Sequence, residues 1–189
     1  GRVCLLDPNA PDELTKLSPP SRSVVLVLDA SGSMAGPPWK AAAEAAGKVL
    51  AGLKERDRFG LVICRAEPQV WKDRLQAPDA NKVAEALEAI AAVEPTGGTD
   101  LAGALRAAAS FVNDPGRDPE AGRGVDIFVV SDGWDHVAAK RLWLDPQPAD
   151  ANDPACPFPP CRIFALGTDG RNLGLEDLAR RSGAAAVFL

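Results

Sequence analysis

Short apolar runs alternate along this chain with longer stretches in which apolar residues recur every three or four positions. Each short run has the length and composition of a strand buried on both faces of a sheet. The spaced pattern is typical of an amphipathic helix. The predicted strands are 23–29, 58–64, 70–71, 125–131, 162–167 and 185–189, and the predicted helices are 39–53, 79–93, 101–113 and 173–182.

The alternation of strands and helices predicts how these elements assemble. Strands joined through helices favour parallel pairing, right-handed crossovers and helices on both faces of the sheet. We therefore predict an α/β fold, a three-layer α/β/α domain with a mainly parallel central sheet. The predicted domain covers 23–189, with a Pro-rich insertion at 145–161, and 1–22 is an N-terminal extension or linker. Asp79 and Asn172 stand where helix N-caps are expected.

Composition and charge narrow the classes of function. The chain has 189 residues, of which 46% are apolar and 25% charged, as in an ordinary soluble domain. Its formal net charge is -5 and it has no dense run of Lys and Arg, which argues against nucleic acid as a partner. The apolar runs are too short to span a bilayer, so we expect no membrane insertion by this chain.

The four cysteines leave the cellular compartment open. Cys156 and Cys161 flank a Pro-Phe-Pro-Pro segment, which favours a local disulfide only if the domain is exported. The sole histidine, His136, is far from any pair of soft ligands, which argues against zinc. Cys64 ends an apolar run and is predicted to be a buried thiol. The absence of an apolar leader at the first residues slightly favours the cytoplasm, or a domain cut from a longer protein.

Oxygen-bearing side chains follow the predicted strands. Ligands of open α/β sheets bind beyond the carboxyl ends of the strands. Asp29, Ser31 and Ser33 follow the first strand, Thr99 follows a Gly-Gly pair, and Asp132 follows the fourth strand. Two carboxylates and three hydroxyls, without imidazole or thiolate, are ligands for a hard cation. We predict a site for Mg²⁺ or Mn²⁺, with Ca²⁺ as an alternative.

The same set of ligands predicts what the bound ion would attract. Hydroxyl ligands are neutral, so an ion held partly by them keeps its attraction for an anion. A carboxylate of another protein can supply that anion and complete the octahedron. We therefore predict a metal-dependent protein-binding module whose protein partner presents Asp or Glu.

The pattern Asp29-x-Ser31-x-Ser33, followed by Thr99 and Asp132, resembles the metal-ion-dependent adhesion site of von Willebrand factor type A domains. The resemblance implies a Rossmann-like fold and metal-dependent protein binding. It also implies direct coordination of the metal by Ser31, Ser33 and Thr99, and coordination through water by Asp29 and Asp132. These roles are expectations that come from the family.

The resemblance covers nearly the whole chain, from about residue 21 to 189, and includes the stretches RSVVLVLDASGSM, DRFGLVIC, GGTDLAGAL, VVSDGW and RIFALG. Within the family it is most similar to bacterial domains related to the inter-alpha-trypsin inhibitor heavy chain. Two departures stand out: the Pro-rich insertion, and a chain that stops at a strand where family members commonly add a closing helix. The second favours a domain that is part of a longer protein.

Two other functions compete with the metal-dependent module. A phosphotransferase of the haloacid-dehalogenase type also uses an Asp after a buried strand and Mg²⁺, but it needs a second Asp at the position that Ser31 occupies here. The sequence also lacks the Gly-rich, nucleophile-elbow and triad patterns of other enzymes, so we predict that the chain is not an enzyme. A metal-independent structural module remains the other alternative.

Three residues near the predicted site have alternative interpretations. Asp100 is interpreted as a first-turn acid favoured by the helix dipole, in preference to a hydrogen-bond acceptor for a metal ligand. Trp39 and Trp134 either pack inside the domain or form part of a rim that contacts a partner.

Overall fold

The structure, a computed structural model, describes residues 21–117, 124–132, 161–168, 170 and 172–188. Six strands lie in one sheet within these ranges, and four α-helices pack against it. The strands are Ser23–Asp29 (β1), Arg58–Cys64 (β2), Gln69–Val70 (β3), Asp126–Ser131 (β4), Arg162–Gly167 (β5) and Ala186–Phe188 (β6). The helices are Pro37–Ala51 (α1), Ala80–Ala91 (α2), Leu101–Ser110 (α3) and Leu173–Arg181 (α4).

The sheet has the order β3-β2-β1-β4-β5-β6. All neighbouring strands are parallel except β3, which runs antiparallel to β2. The predicted α/β fold with a mainly parallel sheet is therefore confirmed. Because β1, β2, β4 and β5 are parallel, their carboxyl ends lie at one edge of the sheet, and the central strand β1 delivers Asp29 to that edge.

Side chains of the central strand alternate between two apolar cores, one on each face of the sheet. Val25 and Val27 face the core that α3 and α4 close. Leu26 and Leu28 face the core that α1 and α2 close. All seven residues of β1 are buried. Burial on both faces explains the continuous apolar run from Val24 to Leu28 in the sequence. The predicted three-layer arrangement is confirmed.

The helix caps follow the sequence prediction with one correction. Asp79 accepts a hydrogen bond from the Lys82 amide, and Asn172 accepts from the amides of Gly174 and Leu175. The interpretation of Asp100 as a first-turn residue is wrong by one position. Asp100 is the N-cap of α3, and its carboxylate accepts from the Gly103 amide.

The helix boundaries shift by a few residues from those predicted. α1 begins at Pro37, two residues early, because proline needs no hydrogen-bonded N–H in the first turn. The predicted helix 101–113 is α-helical only to Ser110 and ends as a 3-10 turn, Phe111–Asn113. Tightening of the last turn in this way is common at helix ends.

Several predictions fall on residues outside the described ranges. These are most of the extension 1–22, the insertion 145–161 except Cys161, and the residues Trp134, His136 and Cys156. Cys64 and Cys161 are both buried, as is expected of cysteines in a core. The pairing of Cys156 with Cys161 stays a prediction. None of the helices in the described part of the chain is long and apolar enough to cross a membrane.

Candidate metal centre

The turn after β1 presents the first three predicted ligands. Asp29 is the last residue of the strand and exposes only 1% of its surface. Its Oδ1 accepts a 2.9 Å hydrogen bond from the Ser31 amide, which folds the backbone back over the carboxylate. A 3-10 turn, Gly32–Met34, then carries Ser33, whose Oγ lies 3.1 Å from Ser31 Oγ. Asp29, Ser31 and Ser33 are therefore brought together.

The end of β4 adds a contact that the sequence analysis missed. Ser131 Oγ donates a 2.6 Å hydrogen bond to Asp29 Oδ2, across the boundary between β4 and β1. Asp132 follows directly and is also buried. The signal in the sequence was the position of Ser131 at the end of an apolar run, next to a predicted ligand, but only the strand order shows which carboxylate it contacts.

The loop that carries Thr99 lies against the turn after β1. The Thr96 amide donates to the Ala30 carbonyl at 2.9 Å, and the Gly32 amide donates to the Gly97 carbonyl at 3.0 Å. Thr99 is half-buried. The structure thus brings the Thr99 loop to the same edge of the sheet as Asp29.

A fourth loop, after β5, also lies at this edge and was not predicted. The Thr168 amide donates to the Ser131 carbonyl at 3.2 Å, and its hydroxyl donates to Met34 Sδ at 3.4 Å. Met34 belongs to the 3-10 turn that carries Ser33 and is completely buried. The loop after β5 therefore supports both the Ser33 turn and the end of β4.

The electrostatics of this edge favour a cation. Burial raises the pKa of the Asp29 carboxyl, and the negative charge of Asp132 raises it further. Hydrogen bonds from Ser131 and Ser31 act in the opposite direction, but the pKa of Asp29 stays above its usual value. A positive charge placed near the buried Asp29 carboxylate would stabilise its ionised form.

The chemistry of the ligands fits a hard cation. Nowhere in the described ranges do three or more His, Cys, Asp or Glu side chains form a cluster that could hold a metal. A site built on soft or mostly carboxylate ligands is thus not seen there. The edge around Asp29 instead combines carboxylates with the Ser31 and Ser33 hydroxyls, and oxygen ligands of this kind suit Mg²⁺, Mn²⁺ or Ca²⁺.

Comparisons with known proteins agree with the fold. A family model described as von Willebrand factor type A domain matches residues 24–134, which include all five predicted ligands. Inter-alpha-trypsin inhibitor heavy chain H4 of Homo sapiens is 32% identical over 127 residues, which are 66% of this chain and 13% of that protein. Heavy chain H2 of Homo sapiens is 31% identical over 138 residues, 70% of this chain and 14% of that protein.

A solved structure of a von Willebrand factor type A protein from Catenulispora acidiphila is similar in fold. It has a TM-score of 0.68 and 18% identity, and the match covers 90% of this chain and 39% of that chain. The chain spans about one seventh of the length of the two human heavy chains, whose matched shares are 13% and 14%.

Proposed function

We propose that this chain, which belongs to the von Willebrand factor type A domain family, binds a protein partner through a divalent cation. Domains of this family commonly mediate metal-dependent protein–protein interaction. The observation that carries the proposal for this chain is the buried Asp29 carboxylate. It accepts hydrogen bonds from the Ser31 amide and the Ser131 hydroxyl, and the negative charge of Asp132 acts on it.

Each predicted ligand has a distinct role in this proposal. Ser31, Ser33 and Thr99 would hold Mg²⁺ or Mn²⁺ directly. Asp29 would act through water, since hydrogen bonds from within the chain already engage both of its carboxylate oxygens. Asp132 would also act through water, as the family resemblance implies. When bound, the ion supplies a positive charge with a coordination position for an outside ligand.

The partner in this proposal presents an Asp or Glu side chain. The two acidic residues Asp29 and Asp132 formally balance a divalent cation. Their contact through water leaves the open face of the ion attractive to an anion. A carboxylate is the anion that protein surfaces offer most often, and it is also a good ligand for Mg²⁺.

We infer that the module is not an enzyme, because the sequence lacks a carboxylate that the competing phosphotransferase reaction needs. Ser31 occupies the position at which a phosphotransferase of the haloacid-dehalogenase type needs its second Asp. Ser31 Oγ lies 3.1 Å from Ser33 Oγ, and a neutral hydroxyl there cannot replace a carboxylate as an acid–base group. The related domains of the family are generally interaction modules.

A metal titration followed by thermal unfolding tests the proposal. At a hundredfold excess of Mg²⁺ or Mn²⁺ over its dissociation constant, binding should stabilise the fold by about 2.7 kcal/mol, or about 5–10 °C in Tm. Asp29→Ala should remove this gain. Asp73→Ala, which removes an exposed carboxylate elsewhere, should keep it.

The alternatives predict other results. A Tm that does not respond to either metal contradicts the proposal. A partner recovered equally well with and without chelator favours the metal-independent structural module. Metal-dependent release of phosphate from a phosphate ester, lost in Asp29→Ala, favours the phosphotransferase.

A further inference from the structure

Arg65, the residue directly after β2, contacts both ends of the loop that carries Thr99. Its guanidinium Nη2 donates a 3.0 Å hydrogen bond to the Glu94 carbonyl. Its own carbonyl accepts a 2.8 Å hydrogen bond from the Asp100 amide. The loop from Glu94 to Asp100 is therefore held at its first and last residues by a single residue of another element.

The middle of the same loop is attached to the turn after β1. The Thr96 amide donates to Ala30 and the Gly97 carbonyl accepts from Gly32. Gly97 has a φ of +76°, so the loop takes a left-handed step between these contacts and Thr99. The position of Thr99 relative to Asp29 thus depends on contacts at three points of the loop.

Stability of the fold alone would not favour arginine at position 65. Its Nε is buried and has no hydrogen-bond partner within the described part of the chain. A buried donor without a partner destabilises a fold, and an apolar side chain of similar length would avoid that cost. Its guanidinium also lies against the first residue of the Thr99 loop, and a positive charge there opposes the binding of a cation at that loop. Neither effect would favour arginine here.

What the arginine supplies is a long side chain with a donor that reaches the Glu94 carbonyl. We propose that Arg65 is a positioning residue for the metal centre, which acts by holding the Thr99 loop in the geometry that metal binding requires. This inference rests on the proposed function. It assigns no direct contact with the metal to Arg65.

Arg58 provides a matched control on the same strand. It is the first residue of β2, at the opposite end from Arg65, and is half-buried like Arg65. Its Nη1 also donates to backbone carbonyls, 2.7 Å from Asp57 O and 3.3 Å from Glu55 O. Arg58→Met and Arg65→Met therefore remove the same charge and the same kind of contact, but only one of them touches the Thr99 loop.

The experiment measures Mn²⁺ affinity by calorimetry, and Tm in chelator, for the wild type and both variants. Arg65→Met should bind Mn²⁺ about tenfold more weakly than the wild type, as is typical when a group that orients a ligand is removed. Arg58→Met should bind like the wild type. In chelator, Arg65→Met should be no less stable than Arg58→Met. Loss of positive charge by itself would tighten cation binding, so weaker binding cannot come from charge.

The outcomes separate this proposal from the proposed function. A wild type that binds no Mn²⁺ overturns both. A wild type that binds Mn²⁺, together with an Arg65→Met that binds it equally well or better, overturns the positioning role alone.

A second measurement needs no variant. When Mg²⁺ alone is added to the wild type, hydrogen exchange should slow at the amides of Thr96 and Asp100. Metal binding at Thr99 should stabilise the hydrogen bonds that these amides make. Bound Mg²⁺, shown by a raised Tm, without any change in exchange at these two amides would contradict the proposal even if Arg65→Met failed to fold.

Discussion

Two buried aspartates show how the surroundings of one residue decide what it does. Burial alone would raise the pKa of both Asp29 and Asp57. For Asp57, hydrogen bonds from the amides of Lys54 and Arg22 and from the Arg22 guanidinium outweigh burial, and the pKa is lowered. For Asp29 the donors do not outweigh burial and the nearby Asp132. Asp57 is therefore stabilised in its ionised form by donors within the fold, whereas the surroundings of Asp29 disfavour its ionised form relative to an exposed aspartate.

Replacement of Asp57 by asparagine should destabilise the protein by about 2 kcal/mol at neutral pH, since it removes a charged acceptor of three hydrogen bonds. The folded pKa lies below the ordinary value of 3.8. The contribution is therefore fully present above that value and is lost as the pH falls through the folded pKa. Urea unfolding of the wild type and Asp57→Asn at neutral and acidic pH measures both effects.

Asp177 supplies the control for this prediction. It is ion-paired with Arg180 and Arg181 on the exposed face of α4, and its pKa is also lowered against the effect of burial. Exposed pairs contribute about 0–1 kcal/mol. If Asp177→Asn destabilised the protein as much as Asp57→Asn, the argument from burial would be wrong.

Substitution of alanine for each of the two glycines before Thr99 should have different effects on stability. Gly97 has a φ of +76°, and alanine there should cost about 1 kcal/mol of unfolding free energy and weaken Mn²⁺ binding. At Gly98 the added Cβ would make an ordinary contact, 3.9 Å from the Ala66 Cβ, and φ is not left-handed. Gly98→Ala should therefore be near neutral, as chemical denaturation and calorimetry would show.

The start of α3 ties helix formation to the candidate site. Asp100 caps α3 through the Gly103 amide, at 2.8 Å, and it directly follows Thr99. Its backbone amide also donates to the Arg65 carbonyl. One residue thus ends the site loop and begins the helix, so the geometry of the helix start and that of Thr99 are linked.

Glycine-to-alanine changes in two helices test this link. In α1, a Cβ at Gly47 would lie 3.8 Å from Leu87 Cδ2, which is normal packing, so Gly47→Ala should stabilise the fold by about 0.5–1 kcal/mol. In α3, a Cβ at Gly103 would lie 2.8 Å from Asp100 Cγ. Gly103→Ala should break the cap, cost about 1 kcal/mol and weaken Mn²⁺ binding. Equal stability changes in both variants would contradict the cap argument.

The charge of the whole molecule bears on how a partner would arrive. The formal net charge is -5, so long-range attraction does not favour an acidic partner. Selectivity in the proposed mechanism must come from short-range coordination and from the loops that surround the site. One of these loops is the loop after β5, which contacts both Met34 and Ser131 through Thr168.

Binding of an acidic partner should therefore depend on metal and be insensitive to salt. Affinity should stay constant or rise slightly as NaCl is raised from about 0.05 to 0.3 M, because screening reduces long-range repulsion. It should vanish in chelator and in Thr99→Ala and Asp132→Ala, both of which should keep a native circular dichroism spectrum. A steep fall in affinity with salt, measured by surface plasmon resonance, would indicate an ordinary ion-paired interface.

Much of this fold could be predicted from local pattern. β1, β2 and β5 have the predicted bounds, and Asp79 and Asn172 cap the helices that they precede. These features depend on residues close together in the sequence, so the pattern of apolar and polar side chains determines them. The convergence of the loops after β1 and β4 also follows, because parallel strands end at one edge.

Contacts between groups that are far apart in the sequence could not be predicted from local pattern. Ser131 donates to Asp29 across 102 residues of sequence, and Thr168 reaches Met34 across 134. Arg65 holds a loop 29 residues away through the Glu94 carbonyl. These contacts depend on strand order, register and the exact path of each turn, which local periodicity does not encode. The residue types of the proposed metal site are thus determined by the sequence, whereas the contacts that orient them arise only when the sheet is assembled.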